Sequence, residues 1–394
     1  MTTRSLSPWA QAAACTLLCG GLFASAGAQA QVRIGFTGPL SGPAAALGQD
    51  QYDGLMLAIE ERQGKLGGQT VTLFKEDDQV KPEVGVNAVR KLIEKDRVDA
   101  LVGLGYTNVL TAMLPRISQA GIVAIATNSG PLTLSGAGCK PNVFSTAWQS
   151  DGPAESMGLY AQQQGIDKIY LMAPNYQAGK EMVAGFKRFY KGAVVDEVYT
   201  QLNQTDYSAE LTQLQASGAK AAFVFFPGGM GINFLKQMRQ SGSKMPVLSV
   251  FTVDGTTLPA LGSAANGVIA GAMWDAAIDN PAGRRFADAF QQRYKRTASL
   301  YAAASYDAAS ILDAAITKVN GKVSDKAAFA KAVRQAGADV TSVRGPFAFN
   351  VNGMPIQNFY AFEAVADGKA TRMKQIATPL SHHKDAYYAA CVGQ

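Results

Sequence analysis

Polar and aromatic residues directly follow two apolar runs in the first third of this 394-residue chain. Tyr106, Thr107 and Asn108 follow the first run and open an amphipathic stretch, and Asn128 and Ser129 follow the second. A threonine hydroxyl and the unpaired N–H groups of a helix N-terminus can donate hydrogen bonds to a carboxylate. Capping is the commoner role of Thr107 or Asn108, and a capped helix can still present its N–H groups. These residues are therefore candidates for binding a small anionic group.

A second set of candidates lies further along the chain. Most of its members also follow apolar runs, and the tryptophan lies where the chain is expected to pass between two halves of the molecule. Several are aromatic, and burial in a core is the usual alternative for such residues. The set consists of Trp148, Tyr176, Gly229, Phe251, Thr252 and Asp254. With Tyr106, it predicts an aromatic-rich site for a small polar solute.

The motifs of common enzyme classes are absent from the sequence. The two histidines, His382 and His383, stand together near the C-terminus, so histidine-based acid–base catalysis at the strand ends is excluded. The sequence contains no Gly-x-Ser-x-Gly elbow, no phosphate-binding Gly-x4-Gly-Lys-Ser/Thr loop and no His-Glu-x-x-His motif. Carboxylates or lysines could still act, but we expect a protein that is not an enzyme and that needs no metal or cofactor.

The first thirty residues have the pattern of a secretory signal peptide. One charge, at Arg4, precedes an apolar stretch over 12–23, and small residues follow up to a cleavage site after Ala30. Cleavage after Ala28 is the near alternative. The apolar stretch is too short for a permanent membrane span, and no later segment reaches the required length. We therefore expect an exported, soluble protein.

Removal of the signal peptide takes Cys15 and Cys19 with it and leaves Cys139 and Cys391. An even pair of cysteines in an oxidising compartment more often forms a disulfide than a metal site. We therefore expect Cys139 and Cys391 to be bonded. Two separate thiols, one buried and one on the C-terminal tail, are the alternative.

The composition supports a large packed core and excludes some classes of function. Hydrophobic residues make up 47% of the chain and charged residues 17%, which excludes global disorder. The net charge is +6, but the basic residues are dispersed and form no stripe or basic helix, so we expect no nucleic-acid binding. The chain is long enough for two domains.

Short apolar runs alternate with amphipathic stretches, which predicts parallel strands connected by right-handed βαβ units. The predicted strands are 32–36, 71–74, 100–103, 122–126, 168–173, 193–199, 221–226 and 246–250. The predicted helices are 44–63, 83–95, 108–120, 152–164, 179–190, 207–217 and 231–241. A loop rich in glycine, serine and proline over 128–142 separates two successive doubly wound α/β units.

The last third of the chain has a different order of elements. Its predicted helices are 283–295, 300–319 and 325–336, and its predicted strands are 346–351 and 358–366. Asn352 and Gly353 form a hairpin turn signal between the two strands. Because no linker-like change in composition sets this part off, we expect it to complete both units. A third small domain is the alternative.

Motifs in the same order resemble those of the leucine/isoleucine/valine-binding protein family. These are extracytoplasmic solute-binding proteins of ABC importers with a type I periplasmic-binding fold. The N-terminal motif is VRIGFTGPLSGP over 32–43. The further matches are 67–68, 76–79, 82–84, 98–103, 205–208, 228–229, 234–237 and 306–308. The resemblance covers essentially all of 32–370.

The resemblance implies an α/β fold of two doubly wound, Rossmann-like lobes joined by a three-segment hinge. The three crossings are expected near 145–148, 271–275 and 343–346. Lobe 1 then comprises 31–146 and 275–343, and lobe 2 comprises 147–274 and 344–394. The implied protein is a periplasmic monomer that captures a small organic solute between its lobes and delivers it to an ABC importer permease in the inner membrane. A ligand-sensing protein of the same fold that signals to a membrane receptor is the alternative.

The sequence departs from the amino-acid-binding members of the family at several positions, among them Tyr106-Thr107-Asn108, where those members tend to carry a run of small serine residues. Their aromatic residue after Ser-Gly-Pro appears here as Leu47, and their second-lobe tyrosine aligns with Ala178. The stretches 175–180 and 344–347 instead resemble a subgroup that takes aromatic or other organic acids. The implied ligand is therefore a branched-chain or other amino acid, or an aromatic or organic acid.

The acidic residue that pairs with the ammonium of an amino acid in this family aligns nearest Thr252, with Asp254 close by. A buried ammonium needs a carboxylate partner. An amino acid is therefore a poor candidate if Asp254 does not face the cleft.

Overall fold

A computed structural model describes residues 1–2 and 31–392. The predicted signal peptide falls almost entirely outside these residues. Gln31 begins a compact unit that contains all the elements described below. No helix among the described residues is long and apolar enough to cross a membrane.

Within the described residues, the first sheet contains six strands. They are β1 (Gln31–Gly38), β2 (Lys65–Leu66), β3 (Gln69–Asp77), β4 (Ala100–Gly103), β5 (Val123–Ala126) and β6 (Val143–Ser145). Their order is β2-β3-β1-β4-β5-β6, and only β2 is antiparallel to its neighbour. The associated helices are α1 (Ala45–Glu61), α2 (Pro82–Arg90), α3 (Thr107–Ala120) and α4 (Leu132–Ser135). Every residue of β4 and β5 is buried, which explains their continuous apolar sequences.

The second sheet begins with five parallel strands. They are β7 (Lys168–Pro174), β8 (Ala193–Thr200), β9 (Ala221–Phe225), β10 (Val247–Val250) and β11 (Ile269–Ala272). The helices in this part of the chain are α5 (Gly152–Gln163), α6 (Gln177–Phe189), α7 (Ser208–Ala216), α8 (Gly229–Gln240) and α9 (Leu258–Leu261). This alternation matches the doubly wound pattern predicted for the second unit.

The last third of the chain adds strands to the second sheet and helices that pack against the first sheet. It forms α10 (Pro281–Tyr294), α11 (Leu300–Lys318), α12 (Lys326–Asp339), β12 (Phe347–Phe349), β13 (Pro355–Asp367) and β14 (Ala370–His383). The three strands join the second sheet in antiparallel pairs, giving the order β12-β13-β11-β10-β9-β7-β8 with β14 paired to β13. Helices α11 and α12 instead pack in the same core as β1, β4 and β5.

Helices α1 and α11 approach each other very closely. A Cβ atom on Gly54 would lie 2.1 Å from the carbonyl oxygen of Ala302, so only glycine fits this contact. Arg293 of α10 also donates to Glu60 of α1 at 2.9 Å. We call the first sheet with α1–α4 and α10–α12 the first lobe, and the second sheet with α5–α9 the second lobe.

The chain passes between the lobes three times. These passages lie between β6 and α5, between β11 and α10, and between α12 and β12. The crossings expected from the sequence, near 145–148, 271–275 and 343–346, fall in or beside these three segments. The residues at which the domains divide stay a prediction.

A buried network ties the three crossings together. Arg344 donates through Nε to Asp307 Oδ2 at 2.8 Å and through Nη1 to the carbonyl oxygen of Ala147 at 3.3 Å. The indole N–H of Trp274 donates to the carbonyl oxygen of Val343 at 3.1 Å. The first and third crossings are thus linked through Arg344, and the second and third through Trp274. Hydrogen bonds therefore connect all three crossings.

Cys139 and Cys391 are joined by an S–S bond of 2.06 Å, with their Cα atoms 5.8 Å apart. Cys139 lies between α4 and β6 of the first lobe, whereas Cys391 lies in the tail that follows β14 of the second lobe. The hairpin before β13 reaches the same region, because the Ser145 N–H donates to the carbonyl oxygen of Gly353 at 2.9 Å. The disulfide therefore connects the lobes close to the first crossing.

Candidate functional site

A cavity lies between the two lobes and is lined by residues of both. Most of its wall is built by residues that follow the carboxyl ends of β4, β5, β7, β9 and β10, which is where open parallel sheets bind ligands. The lining residues are Leu47, Gly105, Tyr106, Thr107, Asn128, Trp148, Ser150, Tyr176, Ala178, Met182, Phe225, Pro227, Phe251 and Tyr301. Six of the ten residues predicted to bind ligand are among them.

Six of the fourteen residues that line the cavity are aromatic. Trp148 stacks on Phe251 with ring centroids 4.2 Å apart, and the Tyr301 ring stands 6.2 Å from Trp148 at a steep angle. On another side, Tyr176 stacks on Phe225 at 6.2 Å. These walls offer flat, apolar surfaces to a ring or an alkyl chain.

Two of the lining residues, Tyr106 and Tyr176, carry hydroxyl groups. Tyr106 and Tyr176 lie with their ring centroids 6.4 Å apart. Within the described part of the chain, neither hydroxyl has a hydrogen-bond partner. Burial raises the pKa of Tyr106, and the nearby carboxylates of Asp78 and Asp254 raise it further. Burial likewise raises the pKa of Tyr176. Both hydroxyls therefore stay protonated and can donate hydrogen bonds to a ligand.

The turn after β4 aims the N-terminus of α3 at the cavity. Gly103 has φ +104°, and a Cβ atom there would lie 2.3 Å from the carbonyl oxygen of Thr37, so the turn requires glycine. Tyr106 occupies the N-cap position without a side-chain cap, and α3 begins at Thr107. Gly105, Tyr106 and Thr107 line the cavity, so the start of α3, which no side chain caps, lies at its wall. Such an end favours a negatively charged group.

Three predicted binding residues do not line the cavity and are held by other contacts. The Ser129 hydroxyl donates to the carbonyl oxygen of Leu104 at 2.8 Å, and the Thr252 hydroxyl accepts from the Phe226 N–H at 2.9 Å. Gly229 begins α8 and faces the first lobe, since a Cβ atom there would lie 3.3 Å from Pro43. The Ser129 and Thr252 side chains therefore stabilise loops at strand ends.

Asp254, the fourth such residue, lies behind the cavity wall. Its Oδ1 accepts from the N–H groups of Thr256 and Thr257 at 2.7 and 3.2 Å, and its Oδ2 accepts from the Tyr301 hydroxyl at 3.1 Å. Burial raises the pKa of Asp254, against the effect of these donors. Of the described residues, no carboxylate and no cationic side chain lines the cavity. A ligand ammonium would therefore lack a charged partner.

Eight lining residues were not among the predicted binding residues. Phe225 lies in the predicted strand 221–226, and Pro227 directly follows this strand. Leu47 and Ala178 align with aromatic positions of the family that the sequence resembles, so all four had a sequence signal. Tyr301 had none, because it enters the site from the start of α11 and not from a strand end. The remaining three are Gly105, Ser150 and Met182.

Comparison with known proteins gives a consistent assignment. A family model described as "Periplasmic binding protein" matches residues 31–369. The "Leu/Ile/Val-binding protein homolog 6" of Brucella melitensis is 28% identical over 373 residues, which is 91% of this chain and 94% of that protein. The "Leu/Ile/Val-binding protein homolog 3" of the same organism is 30% identical over 84% of this chain and 90% of its own length.

Among solved structures, a solute-binding protein of an ABC transporter from R. palustris, in complex with benzoate, is 28% identical. It superimposes with a TM-score of 0.87 and covers 92% of this chain and 99% of its own. These relatives are solute-binding proteins and not enzymes. The chain therefore belongs to the periplasmic binding protein family and has its two-lobed α/β fold.

Proposed function

We propose that this protein binds an aromatic or other organic carboxylate between its lobes and delivers it to an ABC importer permease. The observation that carries the proposal is the cavity wall, which combines aromatic rings with neutral hydrogen-bond donors and contains no carboxylate among the described residues. A carboxylate ligand finds donors there, whereas the ammonium of an amino acid would be buried without a counter-charge.

Each part of such a ligand has a matching group in the cavity. The carboxylate is placed at the start of α3, where Thr107 and the helix N–H groups can donate to it. The apolar part lies against the rings of Trp148 and Phe251. The hydroxyls of Tyr106 and Tyr176 remain for a second polar group or for the carboxylate itself. Binding of benzoate by the R. palustris relative agrees with this division.

Delivery to a permease rests on membership of the family, and export to the periplasm rests on the predicted signal peptide. We propose that the protein acts there as a monomer. Because both lobes contribute to one cavity, ligand binding should close the lobes about the three crossings. Small-angle scattering should then give a smaller radius of gyration with a saturating ligand than without it.

A matched pair of ligands tests the proposed class. Phenylacetate and phenylglycine differ in the α-ammonium group that only the second carries. We expect phenylacetate to raise the thermal unfolding midpoint, by mass action on the folded state, and phenylglycine to have little effect at the same concentration. A larger shift with phenylglycine would show that the site pairs an ammonium, and would refute the proposed class.

A further inference from the structure

We propose that a polar latch outside the ligand cavity holds the two lobes closed and sets the lifetime of the bound ligand. The latch consists of Thr111 and Leu132 of the first lobe and Gln177 and Glu181 of the second. None of the four lines the cavity. The proposal rests on the proposed function, since a lifetime has meaning only if the lobes enclose a solute.

Three hydrogen bonds make up the latch. The Thr111 hydroxyl donates to Gln177 Oε1 at 3.1 Å, which links α3 to α6 across the lobes. The Leu132 N–H donates to Glu181 Oε1 at 3.1 Å, which links α4 to α6. Gln177 Nε2 donates to the same Glu181 oxygen at 2.8 Å and joins the two interlobe contacts. Opening the lobes at α6 must break the first two bonds.

Helix α6 connects the latch with the ligand. Ala178 and Met182 line the cavity, and each follows a latch residue by one position. Gln177 and Glu181 are four residues apart and lie on one face of the helix, next to the face that lines the cavity. A ligand that fixes α6 against the first lobe therefore also aligns the latch, and the latch in turn resists withdrawal of α6.

The polar nature of the latch suits a contact that must open. Glu181 is only 7% exposed. Burial raises its pKa, while hydrogen bonds from Gln177, Ser150 and Leu132 counteract that rise. When the lobes separate, water replaces the donors that the first lobe provided, so the net strength of each bond is modest. One such bond changes an equilibrium constant by about 2- to 10-fold.

Replacement of Thr111 tests the latch with benzoate as the probe. The variant Thr111→Val keeps the side-chain shape and removes the donor to Gln177. We expect benzoate to dissociate about 2- to 10-fold faster, with little change in the association rate. Thr212→Val is the matched control, because the exposed Thr212 hydroxyl donates to the carbonyl oxygen of Ser208 within its own helix. Equal dissociation rates for Thr111→Val and the wild type would overturn the proposal.

A double-mutant cycle assigns the effect to the hydrogen bond. If the Thr111–Gln177 bond carries it, Thr111→Val should add nothing to the rate of Gln177→Ala. Additive effects would place the cause elsewhere and overturn the latch.

If benzoate does not bind, the proposed ligand class is not supported by this compound. The latch is then tested in the ligand-free protein. Hydrogen exchange of the Leu132 amide in the ligand-free protein is then the readout. Closed conformations that the protein samples without ligand protect this amide. The latch therefore predicts faster exchange in Gln177→Ala than in the wild type, since Gln177 orients the Glu181 carboxylate that accepts from this amide. The same rate in both proteins would overturn it.

Discussion

Replacing Arg344 by methionine should destabilise the protein strongly, because it breaks the buried ion pair at the third crossing. Arg344 and Asp307 are each 1% exposed, and their side chains are 2.8 Å apart. After the replacement, the Asp307 carboxylate keeps the Ser342 hydroxyl and the Val343 N–H as donors but loses its only counter-charge within this network. Leaving one charge of a buried pair uncompensated costs about 3–5 kcal/mol of unfolding free energy.

Urea denaturation monitored by circular dichroism measures this loss as a lower midpoint at an unchanged slope. The double variant Arg344→Met/Asp307→Asn removes both charges and should be more stable than the single variant. Arg284→Met is the control, because Arg284 pairs with Asp279 on the surface, where both side chains are more than half exposed and the pair contributes at most about 1 kcal/mol. A loss below about 1 kcal/mol for Arg344→Met, or a double variant less stable than the single one, would refute the reasoning.

Three further predictions follow from the same structure. Intact-mass measurement of periplasmic protein alkylated without reduction should find no alkyl adducts on Cys139 and Cys391, and two adducts per chain would contradict the disulfide. Reduction should lower the unfolding free energy by up to about 5 kcal/mol, because the disulfide closes a long loop. Thr107→Val should weaken benzoate binding by about 1.5–3 kcal/mol in calorimetry without changing the unfolding midpoint, and wild-type affinity would remove Thr107 from the site. Burial raises the pKa of Asp78 from 3.8 to about 6, so the folded state holds its proton more tightly and stability is lost as the pH rises from about 4 through 6. Asp78→Asn should reduce the difference in unfolding free energy between pH 4.5 and 7.5 by at most about 2 kcal/mol, and an identical pH dependence would contradict this assignment.

The parallel core of both lobes was predictable because buried strands leave continuous apolar runs. Residues 100–103 illustrate this, since the predicted strand and β4 coincide. The strand β14 was not predicted, because it is largely exposed, pairs on one side only and carries polar residues along its length. The strand β11 was also missed: its Gly271 packs against Met157, so small residues replace the usual large apolar ones. A run of large apolar residues indicates a buried strand, and neither β11 nor β14 contains such a run.

Which loops contribute to the site was predictable, because these loops follow the ends of parallel strands. Which side chains in those loops face the cavity was not predictable from the sequence. Tyr106 and Thr107 follow β4 and line the cavity as the strand-end rule requires. Thr252 and Asp254 follow β10 in the same way, yet their polar atoms bind the protein itself. Tyr301 reaches the cavity from a helix start in the last third of the chain, a proximity that only the packing of α11 creates.

Isothermal titration calorimetry with benzoate and L-leucine at pH 7.5 tests the central claim most directly. The cavity has donors for a carboxylate and aromatic rings for an apolar group, and among the described residues it offers no counter-charge to an ammonium. We therefore predict saturable binding of one benzoate per chain and no measurable heat from leucine at the same concentrations. Saturable binding of leucine with no heat from benzoate would contradict the account.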